Sequence, residues 1–188
     1  MAIRLWWIDD GPPDEGLMEH ARAHLEDAFH DEVALEAHPG APEDAYDPRR
    51  GQHLSGRLLA WLASEDSAGA ANGGRVVGVT ERDLFIPILT FVFGEAQLGG
   101  RAAVASFARL RPPPSTPRAD ALLRSRLAKE CVHELGHTWG LRHCDRPRCV
   151  MGRWASVMDV DGKEGLFCAD CRARMRDFEQ RQRGSGQP

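Results

Sequence analysis

Residues 133–143 read HELGHTWGLRH and carry the most specific pattern in the sequence. On an α-helix each residue advances by about 100°, so His133 and His137 lie about 40° apart on a single face, one turn apart. Two imidazoles in that arrangement can reach the same Zn²⁺ ion. The same geometry places Leu127 and Leu135 on the opposite side of the helix. The pattern therefore predicts a helix with one face in the core and the other at a metal site.

The third predicted ligand is His143. Gly140 follows His137 by three residues and can adopt the left-handed conformation in which many helices end, so the chain can turn and return His143 to the same metal. Three histidines leave a fourth coordination position for water, as in catalytic zinc sites. Glu134 lies about 100° around the helix from His133, beside the metal. We expect it to be the general base toward zinc-bound water and then the general acid toward the leaving amine.

Two other interpretations of the histidine pattern are open. A helix with surface histidines would need no metal, but the five fixed positions of H-E-x-x-H-x-x-G-x-x-H make a chance match rare. A zinc site without turnover is the stronger alternative, because ligand spacing reports metal binding more directly than chemistry. The presence of Glu134, which a pure binding site does not need, favours the catalytic interpretation.

Four of the five cysteines form two short pairs, Cys144-x4-Cys149 and Cys168-x2-Cys171. Four thiolates at this spacing match a tetrahedral, all-cysteine structural zinc site. Such a site would tie the loop after the active-site helix to the last helix. Because Cys144 adjoins His143, it would also hold the third histidine in place. The alternative is two incidental cysteine pairs that could oxidise.

The composition is that of an ordinary globular protein. The chain has 188 residues, of which 42% are hydrophobic and 28% charged, and its formal net charge is -4. A negative net charge gives no reason to expect recruitment to nucleic acid or to an anionic membrane. Basic residues cluster near the C-terminus, where we expect them to form a solvated helix face: Arg172, Arg174, Arg176, Arg181 and Arg183.

The chain shows no targeting pattern. No segment resembles a secretory signal or reaches the roughly 20 apolar residues of a membrane helix. An odd number of cysteines argues against a disulfide framework and toward metal binding in a reducing compartment. Cys131, on the apolar side of the predicted helix, is expected to be a small buried hydrophobe. We therefore expect a cytoplasmic, monomeric protein with neither nucleic acid nor membrane as a partner.

Hydrophobic periodicity predicts strands and helices ahead of the histidine motif. The predicted strands are 3–8, 32–38, 75–80, 86–96 and 101–110, and the last two form a hairpin across Gly99 and Gly100. The predicted helices are 14–30, 49–64, one that begins at Ser115 or Thr116 and continues to about Trp139, and 167–182. Loops are expected at 39–48 and 141–165, a mobile linker at 67–74, and a frayed tail at 184–188.

This order of elements predicts an α+β or α/β fold with one main sheet backed by helices. The whole chain, 1–188, would form one domain, without internal repeats. Residues 1–140 would be an N-terminal subdomain that ends with the active-site helix. Residues 141–183 would be a C-terminal subdomain that contains the four-cysteine zinc site.

These residues closely resemble one family, the archaemetzincins of the metzincin clan of zinc peptidases. The resemblance rests on the long histidine motif, the cysteine directly after the third histidine, the C-x4-C-x-M segment that ends at Met151, and the distal C-x-x-C. Upstream stretches at 46–50 (YDPRR), 83–84 (DL) and 91–96 (FVFGEA) are also similar. One departure is that Met151 and Cys168 are separated by one residue fewer than the family pattern leads us to expect. Such a loop change leaves the ligands intact.

The resemblance implies a metzincin-like fold. That fold has a mixed twisted sheet with one antiparallel edge strand, backing helices, an active-site helix that ends at the glycine, and a zinc-clipped C-terminal subdomain. Met151 would then be the methionine beneath the catalytic zinc, with Met158 as the rival candidate. The edge strand, expected within 88–97, would bind a peptide substrate by backbone pairing.

The leading functional hypothesis is a zinc metallopeptidase that acts on peptides or small proteins and holds two zinc ions, one catalytic and one structural. One alternative is a zinc-stabilised binding module, for instance one that presents the arginines of the final helix to nucleic acid. Another is a peptidase-like protein that has lost turnover. The acidic net charge argues against the first alternative, and the retention of every ligand together with Glu134 argues against the second.

Overall fold

The computed structural model of the chain describes residues 2–66, 73–154 and 156–185. Within these ranges the strands are β1 (Ile3–Trp7), β2 (Val33–Ala37), β3 (Tyr46–Asp47), β4 (Gln52–Leu54), β5 (Arg75–Thr80), β6 (Leu84–Phe85), β7 (Gly94–Ala96) and β8 (Ala102–Ser106). The α-helices are α1 (Glu15–Phe29), α2 (Ser55–Glu65), α3 (Ala119–Thr138), α4 (Val157–Asp161) and α5 (Ala169–Ser185).

The main sheet has five strands in the order β2-β1-β5-β8-β7. The first four run parallel, and β7 runs antiparallel to β8 at one edge. A small second sheet joins β3, β4 and β6. The antiparallel edge strand is the feature of this architecture that matters most for the site, because it lies beside the helix that carries the histidine motif.

The alternation of side chains along β1 explains why helices cover both faces of the main sheet. Ile3, Leu5 and Trp7 point to one face and pack in a core with α1 and α3. Trp6 and Ile8 point to the other face and pack with α2. Strands β5 and β8 are buried along their whole length, as expected for parallel strands covered on both sides.

Two predicted helices begin later than expected. Residues 49–51 form a turn, 52–54 pair as β4 with β6, and α2 begins at Ser55. Helix α3 begins at Ala119 rather than at Ser115 or Thr116. Pro117 disfavours a helical conformation at the residue before it, and Arg118 adopts a left-handed φ of 56°. The helix can therefore begin only after Arg118.

The predicted hairpin forms, but its first strand is much shorter than the predicted range 86–96. Regular pairing with β8 covers only β7, and Val92 makes an isolated antiparallel bridge with Leu84. Residues 87–90, which lie between Leu84 and Val92, form a turn instead of a strand, because Pro87 has no N–H to donate to a strand ladder. The guanidinium of Arg50 holds this turn by donating to the carbonyl of Leu89 at 2.9 Å.

Residues after helix α3 contribute side chains to the main core and do not form a separate core of their own among the described residues. Val150, Met151, Phe167 and Met175 are buried in the same cluster as the residues of α1 and α3. The predicted loop 141–165 contains the short helix α4, which begins with a capping box between Ser156 and Asp159. Most of the predicted linker and the last residues of the predicted tail, 67–72 and 186–188, lie outside the described residues. No described helix is long and apolar enough to cross a membrane.

Candidate metal centres

Helix α3 carries two of the three predicted histidine ligands, and the loop after it carries the third. Ligand atoms of His133, His137 and His143 all lie within 4.8 Å of one another. The turn that follows α3 allows this, because Gly140 has a left-handed φ of 72° and its N–H donates to the carbonyl of His137 at 2.9 Å. His133 is buried and His143 is exposed, so the group opens to solvent on the side of His143.

Backbone carbonyls orient both histidines of α3. The Nδ1 of His133 donates to the carbonyl of Val150 at 2.8 Å, and the Nδ1 of His137 donates to the carbonyl of Leu141 at 2.6 Å. With the hydrogen on Nδ1, the Nε2 of each ring has a free lone pair. The two Nε2 atoms are 3.2 Å apart with no hydrogen between them. Two tetrahedral Zn–N bonds of about 2.0–2.1 Å place their nitrogens about 3.3 Å apart, so the pair fits zinc.

The protonation of the three rings also suits a metal. Burial lowers the pKa of His133 well below its ordinary value, and the neighbouring His137 lowers it further. Burial likewise lowers the pKa of His137 and that of His143. An imidazole must be neutral to coordinate a metal. Three neutral imidazoles form a zinc donor set with one position left for water.

Glu134 is buried beside the histidines and packs against the edge strand β7. A Cβ on Gly94 would lie 2.5 Å from Cγ of Glu134 and 2.6 Å from the carbonyl oxygen of Val104. Only glycine therefore allows the strand to approach the helix this closely. Burial raises the pKa of Glu134 well above its ordinary range, and the nearby Glu130 and Glu95 raise it further. A carboxylate with increased proton affinity is suited to act as a general base.

The two candidate methionines lie in very different places. Met151 is fully buried, whereas Met158 is 79% exposed. A Cβ on Gly136 would lie 2.7 Å from Sδ of Met151, so this methionine packs closely against α3 between its two histidines. The carbonyl of Met151 also accepts a hydrogen bond from the N–H of Cys144 at 2.8 Å.

The four cysteines of the two predicted pairs meet in space. The Sγ atoms of Cys144 and Cys168 are 3.8 Å apart, as are those of Cys149 and Cys171. A disulfide needs about 2.05 Å, whereas two tetrahedral Zn–S bonds of about 2.3 Å place their sulfurs about 3.8 Å apart. Burial opposes ionisation of Cys168, but the N–H of Cys171 and the surrounding thiols together lower the pKa of Cys168 to about 7. The two Sγ distances therefore match a tetrahedral zinc site, and all four Sγ atoms lie within 4.8 Å of one another.

The edge strand β7 is open on the side away from β8. Phe93 and Gln97, the residues on either side of β7, direct their backbone hydrogen bonds toward β8. The N–H of Ser106 donates to the carbonyl of Phe93 at 2.7 Å, and the N–H of Gln97 donates to the carbonyl of Ala102 at 3.0 Å. In an antiparallel ladder this hydrogen-bonding role alternates along the strand. The peptide groups of Gly94 and Ala96 accordingly point outward, where none of the described strands pairs with them.

Comparison with known proteins identifies the family. Residues 45–177 match the sequence pattern of peptidase family M54. The chain belongs to peptidase family M54. An archaemetzincin from Methanopyrus kandleri is 44% identical to this M54 chain over 130 residues, which are 69% of each protein.

Solved structures agree with the family assignment. The crystal structure of archaemetzincin from Methanopyrus kandleri matches the M54 chain with a TM-score of 0.79 and 34% identity, over 96% of both chains. A zinc-dependent peptidase from Methanocorpusculum labreanum matches with a TM-score of 0.81 and 28% identity, over 92% of this chain and 99% of that one. The resemblance to archaemetzincins and the predicted mixed α+β fold are thereby confirmed. As a member of family M54, the chain is a zinc metallopeptidase.

The structure also brings together residues that the sequence analysis did not single out. The ring of Trp154 lies 4.3 Å from that of His133. Glu130 lies one turn before Glu134 on α3 and is buried. Gly94 could have been recognised, because a glycine inside a predicted strand indicates a close backbone approach. Trp154 and Glu130 carry no comparable pattern in the sequence.

Proposed function

We propose that this M54 peptidase hydrolyses peptide bonds at a zinc ion held by His133, His137 and His143, with Glu134 as general base and general acid. The observation that supports this most directly is the 3.2 Å separation of the two unprotonated Nε2 atoms on α3. When bound, zinc supplies Lewis acidity toward water and toward the scissile carbonyl.

The protein groups around this site have distinct tasks. Glu134 takes the proton of the attacking water and passes it to the leaving amine, a role that its buried carboxyl and raised pKa support. The carbonyls of Val150 and Leu141 hold the two histidines of α3 in the tautomer that coordinates metal. Met151 supports the floor of the site through its packing against Gly136.

The substrate class follows from the open side of β7. An extended peptide can add to this edge through the outward N–H and C=O groups of Gly94 and Ala96. Backbone pairing of this kind is largely independent of substrate sequence, so peptides and flexible segments of small proteins are the proposed substrates.

We assign a second, structural zinc to Cys144, Cys149, Cys168 and Cys171. The Sγ distances of 3.8 Å support it, as do the N–H groups of Arg146 and Cys168, which donate to cysteine sulfurs at 3.5 Å. This zinc would hold 141–183 as a C-terminal subdomain against the helix that ends the N-terminal subdomain, 1–140.

Metal content and peptide cleavage, measured on the same preparations, test the proposal. We expect about two zinc ions per chain for wild type and for Glu134→Gln, and about one for His137→Ala. Wild type should cleave members of a mixed peptide library, whereas both variants should not. Wild-type protein that holds a single zinc, unchanged by His137→Ala, would refute the histidine site. Cleavage retained by Glu134→Gln would refute the assigned base.

A further inference from the structure

Exposed apolar side chains are concentrated at the two ends of the edge strand β7. Three of the large hydrophobic side chains that are exposed among the described residues are Ile88, Leu89 and Leu98. Ile88 and Leu89 lie on the turn before β7, and Leu98 lies on the turn directly after it. A single exposed hydrophobic residue is ordinary at a protein surface, but a group of them beside one feature indicates a binding surface.

The turn before β7 presents its apolar side chains to solvent. The N–H of Leu89 donates to the carbonyl of Ile86 at 3.1 Å, which closes a β-turn with Pro87 at its second position, where proline is favoured. Ile88 occupies the third position of this turn, and its side chain is 86% exposed. Leu89 is half exposed. The turn therefore displays two adjacent apolar side chains that the folded chain itself does not cover.

The residues at 50–52 hold this turn in place. Arg50, the last residue of the 46–50 stretch, donates to the carbonyls of Leu89 and Thr90 at 2.9 and 3.3 Å. The side-chain amide of Gln52 donates to the carbonyl of Thr90 at 3.0 Å. Because these bonds fix the backbone of the turn, little of its conformational entropy remains to be lost when a ligand binds.

Leu98 lies at the other end of β7, near the histidine site. The next residue, Gly99, donates its N–H to the carbonyl of His137 at 2.9 Å, so the turn that carries Leu98 is bonded to the end of α3. Glu134 packs against β7 at Gly94, which lies between the two apolar groups along the chain. A peptide on the open edge of β7 would therefore meet the reacting groups near its middle and apolar side chains on both sides.

We propose that the substrate is an internal, extended segment of a polypeptide with apolar side chains on both sides of the scissile bond. Ile88 and Leu89 contact the side chains on one side of that bond, and Leu98 contacts those on the other. Backbone pairing with β7 supplies affinity, and these three residues supply selectivity. The inference rests on the proposed function for the position of the reacting bond, and it makes the protein an endopeptidase.

Peptide binding to zinc-loaded Glu134→Gln, measured by fluorescence anisotropy, tests this inference without turnover. The probe is an eight-residue peptide of alternating leucine and serine, acetylated and amidated at its ends and labelled on a side chain. The matched probe has glutamine in place of each leucine. We expect the leucine peptide to bind about 10-fold more tightly, because its side chains bury apolar surface against β7 and its flanking turns. A free N-terminal amine should change its Kd by less than about twofold, since an endopeptidase does not hold the end of its substrate.

Serine variants made in the same background locate the contact. We expect Ile88→Ser/Leu89→Ser to weaken binding of the leucine peptide about 10-fold and Leu98→Ser about threefold, with little effect on the glutamine peptide. Leu35→Ser is the matched control, because Leu35 is an exposed leucine on β2, at the opposite edge of the main sheet. All four substituted side chains are exposed, so zinc content and thermal stability should not change.

Several outcomes would overturn the inference: equal affinity for the two peptides, equal losses in Leu35→Ser, or binding that requires a free amine. Sedimentation of the same samples tests another occupant, since a dimer that the serine variants abolish would mean that a second copy of the chain covers these side chains. Wild type that cleaved both peptides equally well would leave the proposed function intact and refute the selectivity. If the leucine peptide bound as expected but wild type cleaved nothing, only the proposed function would fail.

Discussion

The Nδ1 atom of His133 and the carbonyl oxygen of Val150 lie 2.8 Å apart, and this hydrogen bond joins the two candidate metal centres. Val150 directly follows Cys149, so the segment that orients His133 begins at the cysteine cluster. A second link runs through Cys144, which directly follows His143 and donates its N–H to the carbonyl of Met151. Two of the four cysteines thus fix residues of the histidine site.

Loss of the cysteine cluster should therefore weaken zinc binding at the histidines. For Cys168→Ser, which touches no histidine ligand, we expect zinc affinity at the histidine site to fall about 10- to 100-fold. Competition with a chromophoric chelator measures this affinity. Cys131→Ala is the matched control, because Cys131 is buried in the main core and outside the cluster. An unchanged affinity in Cys168→Ser would show that the two centres are independent.

The close approach of β7 to α3 should make Gly94 essential for activity. In Gly94→Ala the new methyl group would overlap Cγ of Glu134 and the carbonyl oxygen of Val104, so either the base or the strand must move. A displacement of about 1 Å at a reacting group can cost about 100-fold in rate, so we expect a loss of that order in kcat/KM. Gly11→Ala is the control, since a Cβ there meets no atom within 4 Å. Equal activity of both variants would contradict the proposed placement of Glu134.

The histidine and cysteine groups could be predicted because each depends mainly on local spacing. His133 and His137 are one helical turn apart, and the left-handed Gly140 then returns the chain to the site. The antiparallel hairpin of β7 and β8 was predicted correctly for a similar reason, since a glycine pair between two apolar runs is a local pattern.

Features that depend on tertiary placement could not be predicted in this way. Glu130 becomes part of the site only because β7 crosses α3 at Gly94. Trp154 lies 13 positions before Phe167, within a stretch predicted only as loop, and nothing in its spacing indicates a contact with His133. The late start of α3 depends on the backbone of one residue, Arg118, whose left-handed conformation is unusual for a side chain of its size.

A buried ion cluster at the end of α2 should contribute strongly to stability. Asp66 is 1% exposed, forms an ion pair with Arg4 of β1, and lies 3.3 Å from Nη1 of Arg101 beside β8. Asp66→Asn removes the negative charge that both arginines contact. Removal of one partner from a buried pair costs about 3–5 kcal/mol, and we expect the lower end because both arginines are partly exposed.

Urea unfolding of zinc-loaded protein measures this change in free energy. Asp44→Asn is the control, because Asp44 and its partner Arg57 are both more than half exposed. Such surface pairs contribute about 0–1 kcal/mol. Equal destabilisation by the two substitutions would contradict the importance assigned to burial at Asp66.

The ion pair between α3 and α4 should make part of the stability depend on pH. The buried guanidinium of Arg126 donates to both carboxylate oxygens of Asp161, at 2.8 and 2.6 Å, and this contact lowers the pKa of Asp161 below its ordinary 3.8. The pKa of Asp161 is lower in the folded protein than in the unfolded chain. The ion pair therefore stabilises the fold fully above about pH 4, and this stabilisation is lost as the pH falls through the pKa of Asp161 in the folded protein.

Wild type should therefore be more stable than Asp161→Asn by a constant amount at pH 5–7, with the difference shrinking below about pH 4. We expect about 1 kcal/mol, because the Asp161 side chain is 35% exposed and solvent screens the pair. Chemical unfolding at each pH measures the difference in the free energy of unfolding between the two proteins. Acid effects that both proteins share, such as protonation of the zinc ligands, cancel in this difference. Asp10→Asn, at a carboxylate that is 78% exposed, should show no such dependence. A difference between wild type and Asp161→Asn that stayed constant down to pH 2 would contradict the assigned origin of this stability in the ionised Asp161 carboxylate.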